Sequence, residues 1–444
     1  MQTEPHLQTS RNTIAMPGLR PPTPSTAAPV RPNIAGVPSA AGGRTFSFDQ
    51  IVTQMLTENP GTSDLLFVVG RPPQVEEHGK LKGVQVEGMW PALQPAHVEA
   101  IAGKLMAGNE RLISDFKNFG SCDSSYMVPE LARFRVNIFK NNGNHAIVMR
   151  KLSTKIPTLT GLGLPDIFRE MIKEKTGLIF VTGATGSGKT TTLAAMLNEI
   201  NQENEYHMVT LEDPIEFIHS HQKATFSQRE LGKDFSDFAV GLRAALRQAP
   251  KVILVGEIRD RETMEIALTA AETGHVVYST LHTISAAQTV NRVIGMFSVE
   301  EQEQVRQRLA DTLRYVVSQR LAPKEGGGRV MVSEIMGSNL RTREGILLGE
   351  SEVRNFHEII EASSQAGWHS FEQSLCKLYV EGKLTEETAM AYSVNKSGMR
   401  RAIDLAKKTT QPQDASPSGF RLNHEALHIA KPPPGRQIPP PLPT

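Results

Sequence analysis

The sequence has few cysteines and no long apolar run. Cys122 and Cys376 are its two cysteines among 444 residues, too few and too far apart for a disulfide framework or a zinc site. No window approaches the roughly 18 consecutive apolar residues of a membrane-spanning helix, and the N-terminus has no apolar segment after a basic start. We therefore expect a cytoplasmic protein with reduced thiols that reaches any membrane through partners.

The chain also has little net charge and few aromatic residues. The formal net charge is +1, and aromatic residues make up 6% of the chain. A near-neutral chain without a stripe of basic and aromatic side chains lacks the usual features of a protein that moves along nucleic acid. With 39% hydrophobic residues, the chain can instead form two or three domains with separate cores.

The two ends differ in composition from the middle of the chain. Residues 1–44 and 409–444 are rich in Pro, Ala, Ser and Thr, and the second segment ends in "KPPPGRQIPPPLPT". Such segments bury too little apolar surface to offset the entropy of ordering, so we expect disordered tails. The Pro-rich end is typical of polyproline II conformation.

Two different blocks lie between the tails. In residues 45–150, "FSFDQIVTQML" predicts an amphipathic helix and "RFRVNIFKNNGNHAIVMRKL" a β-hairpin, which together indicate a small α+β domain. Residues 151–166 contain repeated Pro and Gly and predict a linker.

A second pattern follows the linker. In residues 167–337, "GLIFVTG", "HMVTLED", "KVILVGE" and "HVVYSTLHT" alternate with helical segments, as buried strands of a mostly parallel α/β sheet do. Residues 338–408 predict a C-terminal helical group.

The segment "GATGSGKTTT", which follows the first of these strands, fits a phosphate-binding loop. Such a loop needs glycines so that backbone N–H groups converge on phosphate, a lysine for the β/γ-phosphates and a hydroxyl for magnesium. Position between a buried strand and a helix supports this interpretation, so we predict a site for ATP or GTP with Mg2+. The predicted nucleotide-binding residues are Gly183, Ala184, Thr185, Gly186, Ser187, Gly188, Lys189, Thr190 and Thr191.

Carboxylates follow two other predicted strands. Glu212, Asp213 and Glu216 in "VTLEDPIEF" could polarise the attacking water or hold magnesium, since ends of parallel strands cluster near the phosphate site. A charged turn near Pro214 explains the same spacing equally well. In "KVILVGEIRD", Glu257 ends an apolar strand, where burial for packing alone is costly, so a magnesium-site role is favoured.

Histidines and arginines give weaker signals. His275 and His282 flank the last of these strands without the spacing of a metal site, and each could sense a γ-phosphate or be an ordinary core or surface histidine. Arg135 shares one face of a predicted strand with Arg133, and Arg150 lies beyond the turn. A solvated strand face explains them, and an arginine reaching nucleotide is the alternative.

Taken together, "GATGSGKTTT", "VTLEDPIEF", "LRAALRQAPKVILVGEIRD", "TGHVVYSTLHT" and "APKEGGGRVMVSEIM" resemble the secretion ATPase superfamily. Within it they are most similar to the type IV pilus retraction ATPase (PilT) family, and the likeness runs over residues 45–407. The resemblance implies a hexameric ring of subunits with a PAS-like N-terminal domain and a RecA-like C-terminal domain, with ATP between them.

The resemblance also implies roles for individual residues. Glu216 resembles the glutamate that activates water, with Glu212 and Asp213 in support, and Glu257 resembles the carboxylate of an atypical Walker B element that holds Mg2+ together with Thr190. The remaining implied residues are His275 and His282 as phosphate sensors and Arg135 and Arg150, with Arg133 as a weaker third, as stabilisers of γ-phosphate charge.

The function implied is a cytoplasmic ATP hydrolase that powers pilus retraction and twitching motility. Its implied partners are identical subunits, an inner-membrane platform protein and a paralogous pilus ATPase. The segment "RTREGILLGE", Arg341 to Glu350, departs from the family's motif close to AIRNLIREGK. An accessory or regulatory ATP-binding paralog in a pilus or type II/IV secretion system is therefore the alternative.

Overall fold

The computed structural model describes residues 47–85, 91–152, 155–351 and 355–410. The predicted tail at 1–44 and almost all of that at 409–444 lie outside these ranges. The chain divides into two compact units, Met1–Lys151 and Leu152–Thr444. No helix in the described ranges combines the length and apolar character needed to cross a membrane.

The first unit pairs helices with a six-stranded sheet of order β3-β2-β1-β6-β5-β4. Its elements are α1 (Phe48–Glu58), β1 (Thr62–Val68), β2 (Gln74–Glu77), β3 (Lys80–Gly83), α2 (Pro95–Met106), α3 (Glu110–Phe119), β4 (Ser121–Val128), β5 (Ala132–Asn141) and β6 (Asn144–Leu152). The predicted hairpin is present, since Asn142 (φ 49°) and Gly143 (φ 79°) form the two-residue turn between β5 and β6. Positive φ at both turn positions matches the twist of the flanking strands.

Strand β5 shows why the predicted alternation gives this sheet. Phe134, Val136 and Ile138 are fully buried and belong to the core of the first unit. Their neighbours Arg133 and Arg135 point to the other face, because successive side chains of a strand alternate. Helix α1 contributes Phe48 to the same core.

The second unit holds a seven-stranded sheet of order β13-β12-β7-β11-β10-β8-β9. Its strands are β7 (Gly177–Thr182), β8 (His207–Glu212), β9 (Thr225–Glu230), β10 (Val252–Val255), β11 (Val276–Leu281), β12 (Leu313–Pro323) and β13 (Arg329–Gly337). Its helices are α4 (Ile167–Met171), α5 (Lys189–Glu203), α6 (Phe238–Ala245), α7 (Arg261–Glu272), α8 (Ala286–Ile294), α9 (Gln302–Thr312), α10 (Leu340–Leu348), α11 (Phe356–Ala362), α12 (Phe371–Val380), α13 (Glu386–Tyr392) and α14 (Lys396–Thr410), with a 3-10 turn at Ser364–Ala366.

The strands from β12 to β9 are parallel, and β13 joins antiparallel at one edge. Every residue of β7, β10 and β11 is buried, which explains their uninterrupted apolar sequences, since helices cover both faces of such a sheet. The predicted α/β class with a smaller α+β domain and a C-terminal helical region is confirmed.

The C-terminal helices form a small core of their own. Phe371, Leu375 and Ile403 are buried together with Ala322 of β12 and Val332 of β13. The helical group is thereby attached to the edge of the parallel sheet, away from β9.

Candidate nucleotide site

The carboxyl ends of the central parallel strands meet at one edge of the sheet. Leu281 of β11 lies beside Thr182 of β7, and Val255 of β10 lies beside Leu211 of β8. The segments that follow these strands therefore emerge side by side. In open α/β sheets this edge is where ligands bind.

The loop after β7 has a backbone shape that requires glycine. A Cβ on Gly183 (φ +143°) would lie 2.4 Å from the backbone oxygen of Gln319 and 2.6 Å from Ser187 Oγ. Gly186 and Gly188 also have positive φ, of +79° and +89°. A tight glycine-rich turn before a helix is the arrangement in which backbone N–H groups bind phosphate.

Lys189 lies at the centre of the loop. Its Nζ donates to the backbone oxygens of Gly183 at 3.0 Å and Ala184 at 3.2 Å, and its side chain is only 9% exposed. Burial lowers the Lys189 pKa, while the nearby charges of Glu257 and Glu216 raise it. The structure therefore brings these two carboxylates and the lysine together.

The start of α5 is suited to an anion. Gly188 precedes the helix in a left-handed conformation and provides no side-chain cap, so the first-turn N–H groups lack that partner, and the helix dipole favours negative charge there. Thr190 and Thr191 are half-buried in this turn, and Ala184 and Thr185 are exposed.

Ser187 and Gln319 complete the loop. Ser187 Oγ is buried without a hydrogen-bond partner among the described residues, as expected of a group that faces an absent ligand. Gln319 Nε2 donates to the Ser187 backbone oxygen at 2.8 Å. The loop thus fits a nucleotide phosphate.

Glu257 follows β10 and has two partners. Its side chain is 16% exposed, pairs with Arg259, and lies 3.4 Å from His282 Nε2 through Oε2. The carboxylate therefore lies next to Lys189 on one side and a basic pair on the other, in reach of groups that follow β7, β10 and β11.

Glu212 and Glu216 differ sharply in environment. Glu212 is buried, and burial raises its pKa to about 7 against hydrogen bonds from Thr210, Gln228 and the Glu216 backbone N–H, which lower it. The Thr210 hydroxyl donates to Glu212 Oε1 at 2.6 Å. Glu216 is half-buried and Asp213 is exposed. Of Glu212 and Glu216, it is Glu216 whose charge acts on Lys189, whereas Glu212 is the more deeply buried.

The two predicted phosphate sensors are separated. His282 follows the carboxyl end of β11, whereas His275 precedes its amino end, where its backbone oxygen accepts from Gly177 and its Nδ1 lies 3.0 Å from the Ala270 backbone oxygen. A strand of six residues spans roughly 20 Å. Of the two histidines, the structure brings only His282 to the end of β11 that lies beside the phosphate loop, and His275 lies at the opposite end. Phosphate sensing stays a prediction for both.

The candidate arginines lie in the first unit. Arg150 Nε donates to Asp64 Oδ1 at 2.9 Å, and Arg133 Nη2 donates to Ser125 Oγ at 3.1 Å. Arg135 is exposed on β5, and its side chain makes no hydrogen bond or ion pair with any described residue. It is therefore the arginine that needs to break no contact to reach an anion.

A magnesium site here depends on the nucleotide. Within the described ranges, no three His, Cys, Asp or Glu side chains gather as metal ligands. A Thr hydroxyl and one carboxylate, Thr190 and Glu257, are the donors that P-loop proteins combine with phosphate oxygens around Mg2+. Their oxygen chemistry fits that ion.

Sequence reasoning missed three polar residues that shape the site: Arg259, Gln319 and Gln228. Arg259 stands in the quoted "VGEIRD" and was not assigned. Gln228 and Gln319 are polar residues within strands, which is the available signal. The partner of Gln319 lies 132 residues away, and those of Gln228 lie 9 to 16 residues away, in and after the preceding strand.

A phosphate loop between β7 and α5, with carboxylates after neighbouring parallel strands, defines a P-loop nucleoside triphosphatase. The family model described as "Type II/IV secretion system protein" matches residues 124–373. The chain is 40% identical over 340 residues to "Type IV pilus retractation ATPase PilT" of Pseudomonas aeruginosa, covering 76% of this chain and 96% of that protein.

Two further comparisons agree. "Type IV pilus ATPase PilU" of the same bacterium is 35% identical over 82% of this chain and 93% of its own length. The crystal structure of "the Pilus Retraction Motor PilT and Bound ADP" matches with a TM-score of 0.72 and 39% identity, covering 80% of this chain and 99% of that one. The chain belongs to the type II/IV secretion system protein family and, within it, to the pilus retraction ATPases.

Proposed function

We propose that this chain is a hexameric motor that hydrolyses ATP to retract type IV pili, and so drives twitching motility. It works at the cytoplasmic face of the inner membrane on a platform protein embedded there. The observation that carries the proposal is that Lys189, Glu216 and Glu257 follow β7, β8 and β10, whose carboxyl ends lie at one edge of the sheet, in a chain that belongs to the retraction ATPases.

Binding of ATP exchanges the partners of Lys189. Its ammonium leaves the backbone oxygens of Gly183 and Ala184 and contacts the β- and γ-phosphates, while the loop N–H groups and the start of α5 bind phosphate oxygens. Thr190 and Glu257 would hold Mg2+, which neutralises charge on the phosphate oxygens. In the described structure Glu257 contacts both Arg259 and His282, so a Mg2+ ion bound to Glu257 would compete with these two contacts.

Glu216 orients the attacking water in line with the γ-phosphate. Glu212, buried at the end of β8, and Asp213 precede Glu216 in the same segment and support its placement. His282 responds to phosphate through its contact with Glu257. Arg135 and, after release from Asp64, Arg150 stabilise the charge that develops on the transferred phosphoryl group.

An accessory ATP-binding paralog is the second candidate. It is favoured by the altered "RTREGILLGE" segment, in which Arg343 of α10 pairs with Asp311 of α9. The relationship to "Type IV pilus ATPase PilU" also supports it. Such a subunit would bind ATP and join a ring driven by another ATPase.

Turnover by the purified chain separates the two candidates. We expect Mg2+-dependent ATP hydrolysis by a six-subunit species, and at least a roughly 100-fold loss of kcat in Glu216→Ala, because general-base contributions are of that order. Glu203→Ala, at the exposed end of α5, is the matched control and should retain full activity.

Mass and folding are recorded in the same buffer. ATP binding without turnover by folded, hexameric wild-type protein would contradict the motor proposal and support the accessory paralog.

A further inference from the structure

The segment that carries Glu216 is attached to one face of strand β9. Ile215 and Phe217, on either side of Glu216, are buried. Gln228 and Glu230 of β9 lie two residues apart and therefore share a face of the strand. Both side chains contact the backbone of the Glu216 segment.

Gln228 makes three hydrogen bonds there. Its Nε2 donates to the Phe217 backbone oxygen at 2.8 Å and to Glu212 Oε1 at 3.2 Å. Its Oε1 accepts from the His219 backbone N–H at 2.8 Å. One side chain thus holds the strand end before Glu216 and the backbone after it.

Glu212 and Glu230 make the remaining contacts around the segment that carries Glu216. Glu212, which Gln228 holds, ends β8 four residues before Glu216. Glu230 is 3% exposed, and its Oε2 accepts from the Ile215 N–H at 3.3 Å. The backbone is fixed immediately before and after Glu216, while the Glu216 side chain stays half-buried.

We propose that Gln228 is a positioning residue for Glu216, which it holds in the orientation needed to align water for attack on ATP. The inference rests on the proposed function. Misplacement of a reacting group by about 1 Å can cost on the order of 100-fold in rate. ATP binding depends on Lys189 and the phosphate loop, which Gln228 does not contact, so substitution of Gln228 changes turnover and spares affinity.

Gln228 is a better test residue than Glu230. Glu230 also pairs with the exposed Lys233 at 2.6 Å, so its substitution removes an ion pair as well as the hydrogen bond to Ile215. Gln228 is neutral, and methionine matches its length and volume without its hydrogen bonds. Gln202→Met provides the control, because Gln202 is exposed near the end of α5 and contacts none of these groups.

The test measures kcat and KM for ATP in wild type, Gln228→Met, Gln202→Met, Glu216→Ala and the Glu216→Ala/Gln228→Met double variant. Residual rates are followed at high enzyme concentration. We expect Gln228→Met to lose at least ten-fold in kcat with KM within three-fold of wild type. The double variant should be no slower than Glu216→Ala, because a residue that acts through Glu216 has nothing left to position.

A kcat loss below ten-fold, a KM change that accounts for the loss, or multiplied losses in the double variant would overturn the inference. Thermal unfolding checks each variant, and Gln228→Asn, which keeps the amide but shortens its reach, replaces Gln228→Met if the latter does not fold. A wild-type chain that fails to hydrolyse ATP, or a fully active Glu216→Ala, would contradict the proposed function itself. The two failures are therefore distinct.

Discussion

At the residue scale, the site combines one buried cation, Lys189, with several carboxylates. Lys189 is held by backbone oxygens and by the charges of Glu257 and Glu216. Glu212 lies deeper, and water is excluded from it. A buried carboxyl that must ionise near another carboxylate costs free energy, and this cost makes the stability of the second unit depend on pH.

The Glu212 pKa of about 7 determines whether stability rises or falls with pH. A folded-state pKa above the unfolded value stabilises the fold at low pH, and the contribution is lost as pH rises from about 4.5 through about 7. At roughly 1.4 kcal/mol per pH unit, the loss is on the order of 3 kcal/mol. Glu212→Gln cannot ionise and should lack this loss, so its thermal midpoint relative to wild type should rise across that interval.

His219 determines how this measurement is read. Burial lowers its pKa to about 4, so its contribution grows as pH rises through the same range and partly masks the change at Glu212. Because His219 is present in both proteins, its contribution cancels in the difference between the thermal midpoints of wild type and Glu212→Gln. A difference that does not vary between pH 4.5 and pH 8 would contradict the assignment.

The common location of Lys189, Glu216 and Glu257 could be predicted because strand ends converge at one edge of a parallel sheet, while their roles stay predictions. Lys189, Glu216 and Glu257 follow from that rule together with the phosphate-loop pattern. His275 does not follow from that rule. It and His282 stand at opposite ends of one strand, and the length of the strand separates them. Gln228 was missed because its contacts join residues of two strands that only the folded sheet brings together.

At the scale of elements, the loop between β7 and α5 depends on how closely β12 approaches it. Ser318 of β12 lies beside Thr182, and their hydroxyls are 2.9 Å apart. The next residue, Gln319, places its backbone oxygen against Gly183 and its amide on Ser187. The adjacent strand therefore shapes the phosphate loop.

Gly183→Ala tests this packing. The added Cβ would meet the Gln319 backbone oxygen at 2.4 Å, so the loop or β12 must move. We expect at least a ten-fold weaker affinity for ATP, measured by titration with a fluorescent analogue.

Gly186→Ala is the matched control in the same loop. Gly186 has φ +79° with no atom within 4 Å of the added Cβ, so the change costs only the conformational strain of about 1 kcal/mol. Gly186→Ala should therefore weaken the affinity for ATP less than Gly183→Ala does. Equal effects of the two substitutions would show that contact with β12 does not shape the loop.

Apolar strands and the hairpin turn could be predicted locally, but the order of strands could not. The insertion of β7 between β12 and β11 joins residues more than a hundred positions apart, such as Thr182 and Ser318. The antiparallel addition of β13 and the packing of the C-terminal helices on β12 and β13 are equally non-local. The central strands β7, β10 and β11 are buried on both faces, so their apolar sequences carry no periodic pattern that would indicate their order.

At the scale of the whole molecule, the change in pattern near residue 151 predicted two different folding units. Each has a core of its own, and the chain divides between Lys151 and Leu152. Family membership joins them in one motor subunit. The departure at "RTREGILLGE" bears on what the motor does, since it changes α10 and leaves the phosphate loop and its carboxylates intact.

The most direct test of the central claim is the retraction of fluorescently labelled pili in the bacterium that encodes this chain. Its chromosomal copy is replaced by Glu216→Ala or by the control Glu203→Ala, with protein levels matched. We predict that pili extend and do not retract in Glu216→Ala cells, and that they retract at the wild-type rate in the control. Retraction at the wild-type rate in Glu216→Ala cells would contradict a retraction motor driven by this site.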